Sequence, residues 1–111
     1  MSELELIQHC LEEHKAEGIV TIDVSGVSPF ASYYVIATAQ NPRALGAIKE
    51  HVEEALEKAG YEITLSEGEN DSGWVISQAE DVIVHLFLEA NRRMINLEEL
   101  LERIKGKSAK A

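Results

Sequence analysis

A chain of 111 residues with 45% hydrophobic and 27% charged side chains is long enough for one domain with its own core, too short for two, and too apolar for wholesale disorder. Ten Lys and Arg against twenty Asp and Glu give a formal charge of −10, which argues against nonspecific attraction to phosphate backbones, because that attraction rests on basic side chains displacing counterions. The acidity is uneven: residues 1–80 carry fifteen acids and four bases, whereas residues 81–111 carry five acids and six bases. Such a body is either a solubilising surface or the complement of a basic partner. The single cysteine, Cys10, has no intrachain partner and points to a reducing compartment. No apolar run reaches the ~20 residues needed to span a bilayer, and the amino-terminal segment has acids where a targeting peptide would have bases, so a cytoplasmic location away from membranes is expected.

The first segment sets Ile7, Cys10, Leu11 and His14 at the spacing of one helical face, with Ser2 as its N-cap and Gly18 as its stop. Ile19 to Val24 and Tyr33 to Ala39 read as two strands, and the turn-rich linker between them is too short for a helical crossover, which makes them antiparallel neighbours. Asn41-Pro42 opens a second helix, since Asn caps and Pro gives up a donor that had no partner. That helix carries Leu45, Ile48, Val52, Ala55, Leu56 and Ala59 to a stop at Gly60. Tyr61, Ile63 and Leu65 alternate as a third strand, parallel to the second across the helical crossover. Trp74 to Ser77 and Val82 to Leu88 complete an antiparallel meander.

Asn96-Leu97-Glu98-Glu99 is a capping-box variant that opens a last helix, with Leu97, Leu100, Leu101 and Ile104 on its face. Residues 105–111 read as a basic, frayed tail beyond a single domain of residues 1–104. The sum is an α/β fold, a mixed five-stranded sheet with about three helices. In the last strand Val82, Val84, Leu86 and Leu88 alternate with Ile83, His85 and Phe87, so both faces are apolar. Three helices leave part of such a sheet open to a partner or to a second copy.

Catalytic and metal chemistry find little support. His9 and His14 are five residues apart, about 140° around a helix, whereas zinc pairs on helices use the i, i+4 spacing. Asp23 and Asp81 are isolated, with no Asp-x-Asp pair after the Ser25-Gly26 turn to hold magnesium, and there is no Walker-type loop or nucleophile elbow. Metal and cofactor sites are therefore not expected, nor is catalysis. What remains are recognition signals. Trp74 follows Gly73 at the start of a strand, His85 lies within an apolar one, and Arg92-Arg93 stand before the last helix.

These segments resemble the ribosomal silencing factor family, also called Iojap-like. The resemblance runs from about Ile7 to Leu101 and rests on Ile19-Val20-Thr21-Ile22-Asp23-Val24-Ser25-Gly26, Tyr33-Tyr34-Val35-Ile36, Glu67-Gly68, Gly73-Trp74, Asp81-Val82-Ile83-Val84-His85 and Arg92-Arg93 before Leu97-Glu98. It implies a nucleotidyltransferase-like topology without catalytic carboxylates. It also implies a translational repressor that binds the large-subunit ribosomal protein numbered fourteen and blocks joining of the subunits under nutrient limitation. A homodimer is implied for some members. The chain departs from the family pattern at Ser32 and Gln78, where Asp is usual, at Glu80, where Gly is usual, and at Ile95 and Leu101, which replace an aromatic pair.

On this reading Trp74 anchors the partner, Glu67 and Asp81 face its basic side chains, and His85, Arg43 and Arg92 orient the contact surface. The competing readings are an enzyme related to nucleotidyltransferases and an obligate homodimer without ribosome binding.

Overall fold

The structure is a computed structural model that describes residues 2–110, with the side chains of residues 2–69 and 71–104. Its elements run α1 (Glu3–Glu13), β1 (Glu17–Asp23), β2 (Tyr33–Ala39), α2 (Pro42–Lys58), β3 (Leu65–Glu67), β4 (Trp74–Gln78), β5 (Val82–Leu88), α3 (Glu89–Ile95) and α4 (Leu97–Lys110), with a 3₁₀ turn at Asn70–Ser72. The five strands form one mixed sheet in the order β1-β2-β5-β4-β3. β1 is antiparallel to β2, β2 is parallel to β5, and β5, β4 and β3 form the antiparallel meander. β2 and β3 therefore run the same way, as the crossover through α2 requires, with β5 and β4 between them.

Alternation along the strands divides the sheet into two faces. On the first, α1 contributes Ile7, Cys10 and Leu11 and α2 contributes Leu45, Ile48, Val52 and Leu56, packed on Val35, Ala37, Val75, Val82, Val84 and Leu86. On the second, Ile22, Val24, Ile36 and Phe87 meet Leu101 of α4, with Leu97 and Ile95 beside it. Leu101 and Ile95 thus fill apolar positions without the aromatic pair usual there.

α1 and α2 end through the same hydrogen-bond pattern. After α2, Gly60 at φ +94° lets Tyr61 N–H reach Leu56 O at 2.9 Å and Gly60 N–H reach Glu57 O at 3.0 Å. After α1, the left-handed residue is Lys15 at φ +62°, with Ala16 N–H on Leu11 O at 2.9 Å. The stop is therefore Lys15 and not Gly18. Gly18, at φ +56°, lies inside β1 where the register with β2 shifts between Glu17 and Val20, so it serves a bulge.

Three other expectations change. β3 starts at Leu65, which lies opposite Gln78 at the end of β4; Thr64 N–H still donates to Gln78 O at 2.9 Å, while Tyr61 and Ile63 pack on the first core as loop. A short helix, α3, precedes α4; none of its residues is buried, so it has no apolar stripe to announce it. Leu101 is 6% exposed, whereas Leu100 and Ile104 are exposed at 50% and 39%, so only half of the α4 stripe meets the sheet. The expected basic tail at 105–111 falls on side chains outside the described residues.

Candidate protein-binding surface

The second face is covered unevenly. α3 and α4 close it over β1, β2 and the end of β5, while the β4–β3 half carries Trp74, Ile76, Gln78 and Leu65, all half-buried, and the exposed Glu67. The pairings Glu67–Ile76 and Leu65–Gln78 bring these side chains to one side of the sheet.

Trp74 is held there by several constraints. Gly73, at φ +81°, turns the chain out of the 3₁₀ turn into β4, and Trp74 N–H donates to Ser72 Oγ at 3.3 Å. The indole stacks on Phe87 with ring centres 5.2 Å apart, and its Nε1–H donates to His85 Nδ1 at 3.2 Å. Gly68, at φ +95°, brings the chain so close that a β-carbon there would overlap the Trp74 carbonyl and Val75.

His85 is 5% exposed and has Tyr34 against its ring at 4.6 Å. Burial pushes its imidazole down from 6.5 to about 4. Because Nδ1 accepts from Trp74, the neutral ring carries its proton on Nε2, and that buried N–H has no partner. His85 therefore supports the surface from beneath and does not reach a partner itself.

The other expected residues fall at different distances from this centre. Asp81 is exposed in the β4–β5 turn, where its carbonyl accepts from Ser32 N–H at 2.9 Å. Arg92, with a side chain 14% exposed, donates through Nη1 to Thr38 Oγ1 at 2.8 Å and through Nε to Glu98 Oε1 at 2.9 Å, fastening α3 to β2 and α4. Arg43 stands exposed at the start of α2 on the other layer and touches only the rim, in a hollow it shares with Gly68. Trp74, His85 and Glu67 thus come together on the sheet, Arg92 braces its closed end, and Asp81 and Arg43 lie at its margins.

Several carboxylates are occupied by their own chain. Glu3, 8% exposed, accepts the backbone N–H groups of Glu80 and Asp81 at 2.9 and 3.0 Å. Glu53 accepts from Ser77 Oγ at 2.6 Å, Ser66 Oγ at 2.7 Å and Lys49 Nζ at 2.9 Å, joining α2 to β3 and β4. Burial pushes the Glu53 carboxyl up, but its three donors outweigh burial and hold it below its ordinary value. Asp23 Oδ1 accepts from Ser25 N–H and Oγ.

The contact that spacing along the chain could not reveal is His14 stacked on His51 of α2, with ring centres 3.8 Å apart and planes within 4°. Glu13 lies 3.3 Å from His9 and 3.9 Å from His14. No group of three metal-ligating side chains among the described residues is arranged to hold an ion, and no helix among them is long and apolar enough to cross a membrane.

The α/β domain thus leaves an aromatic, acid-flanked half-face open, over a sheet whose carboxylates Glu3 and Glu53 bind its own chain. Comparison with known proteins identifies the family. The family described as "Ribosomal silencing factor during starvation" matches residues 2–110. A ribosomal silencing factor from Halalkalibacterium halodurans is 31% identical over 103 residues, covering 90% of this chain and 88% of that protein. One from Chromobacterium violaceum is 33% identical over 90 residues, covering 81% and 74%. A crystal structure of a Chromobacterium violaceum protein superposes with a TM-score of 0.84 at 30% identity, over 92% of this chain and 88% of that one. A crystal structure from Bacillus halodurans gives 0.78 at 29%, over 87% and 90%. The chain belongs to the ribosomal silencing factor family. Relatives carry the name of silencing factors and not of enzymes.

Proposed function

We propose that this protein represses translation from the cytoplasm by docking the open β4–β3 half-face on a basic protein of the large ribosomal subunit, the one numbered fourteen. Occupied there, the large subunit is sterically closed to the small one when nutrients are short. Catalysis plays no part. The observation that carries this reading is the indole of Trp74, half-buried at one end of the row Trp74, Ile76, Gln78 on the half of the second face that α3 and α4 leave uncovered among the described residues.

A large ring pre-oriented by His85 and Phe87 binds at little ordering cost, which is how aromatic hot spots act. Glu67 on β3 and Asp81 at the neighbouring turn suit Lys and Arg on the partner, and the net negative charge of the whole chain speeds its encounter with a basic protein. Arg92 keeps α3 and α4 off the open half, and Arg43 meets the partner at the rim.

Pull-down and titration calorimetry with the purified ribosomal protein test the reading. Binding that weakens as salt rises is expected; a folded protein that does not bind contradicts it.

A further inference from the structure

Phe30 is 76% exposed, the most exposed aromatic side chain among the described residues. A single exposed apolar side chain needs no explanation by itself. Here the backbone that carries it is tied down at each step. Val27 and Ser28 N–H donate to Val24 O at 3.0 and 2.8 Å, and Phe30 N–H donates to Ser28 Oγ at 3.2 Å. Gln78 Nε2 donates to Phe30 O at 2.9 Å, and Ser32 N–H closes the loop on Asp81 O at 2.9 Å. The loop is built to hold this ring outside the core, although its neighbour Ala31 is buried and Val27 packs on the second core.

The position matters as much as the exposure. Gln78 ends the row Trp74, Ile76, Gln78 along the open side of β4, so Phe30 continues that row past the edge of the strand. Four residues of strand separate Trp74 from Gln78 by roughly 13 Å, and Phe30 lies beyond Gln78. Its loop is also bonded, through Ser32, to the turn that carries the exposed Asp81.

We infer that Phe30 is a second anchor for the partner, at the far end of the surface from Trp74, and that it enters an apolar hollow edged by Lys or Arg on the same basic ribosomal protein. This rests on the docking reading above. Two aromatic rings more than roughly 13 Å apart, one held by stacking and the other carried on a tied backbone, fix the orientation of the partner as well as its affinity.

The test is titration of the purified ribosomal protein with the wild type, Phe30→Ala and Phe30→Leu. The ring supports nothing in the free chain, so both variants should keep the wild-type denaturation midpoint. Phe30→Ala should weaken binding at least tenfold, chiefly through faster dissociation, while Phe30→Leu, which keeps an apolar side chain of similar reach, should lose less. Wild type and Phe30→Ala binding with equal affinity would overturn the second anchor and leave the Trp74 surface standing. Wild type that does not bind would overturn both.

Discussion

Lowering the pH should loosen this fold through one residue. His85 ionises at about 4 in the folded chain, where burial holds it neutral, against 6.5 as the ordinary value. The unfolded chain binds the proton more readily, so the stability contributed by the neutral ring is complete above pH 6.5 and drains away as the pH falls toward 4. Between about pH 7.5 and 5 the difference amounts to about 2 kcal/mol, most of it lost before ordinary carboxylates titrate.

His85→Phe isolates that contribution. It keeps an aromatic ring in the same site and deletes the unpartnered Nε2–H, worth ~1–3 kcal/mol, but strands the part-buried indole N–H of Trp74 at a similar cost, so stability at pH 7.5 should change by no more than ~2 kcal/mol. Urea midpoints for both proteins at pH 7.5 and 5 give the comparison, and the other three histidines and the carboxylates cancel in the difference. The wild type should lose about 2 kcal/mol more than His85→Phe over that interval. Parallel losses in the two proteins would refute the placement of His85 as a buried neutral ring.

Glu3→Ala removes the part-buried hydrogen bonds to the N–H groups of Glu80 and Asp81 and should cost about 2 kcal/mol, lowering the calorimetric midpoint by roughly 8 °C. Gly68→Ala drives a β-carbon into the Trp74 carbonyl at φ +95°, so tryptophan fluorescence should shift and about 2 kcal/mol of stability be lost. Met94→Gln, at a side chain 77% exposed on α3, should change the urea midpoint by less than ~0.5 kcal/mol.

The elements legible in the sequence were those whose residues carry their own reason. β2 and β5 match their expected limits because runs such as Tyr33 to Ala39 are apolar on both faces, as central strands are. α2 matches at its start because Asn41 caps it and Pro42 sits at its first position, and it closes on Gly60. Lys15 in the left-handed region carries no sequence signal, because the local hydrogen bonds that close α1 offset a cost that sequence patterns assign to glycine. α3 is seven residues without a buried side chain, and β3 is three residues, too short to show an alternation.

The same division holds at the surface. Trp74 and His85 stood out because a tryptophan opening a strand and a histidine inside an apolar one are both unusual, and the β4–β5 pairing then joins them. Phe30 did not, because its importance lies in which residues tie its loop, and Gln78 is 48 residues away. Arg43 had a charge but no neighbours to place it, and it came out on the opposite layer at the rim. The His14–His51 stack and the Glu3 clasp join segments that no periodicity connects.

The measurement that bears most directly on the central claim is the affinity of the purified ribosomal protein for wild type and for Trp74→Ala, with the fold of each verified by urea midpoint. An aromatic anchor is worth ~2 kcal/mol or more, so Trp74→Ala should bind about thirtyfold more weakly and should fail to keep ribosomal subunits apart at concentrations where the wild type does. Equal affinity and equal effect on subunit joining would place the interface elsewhere on the molecule and contradict docking through the open half-face.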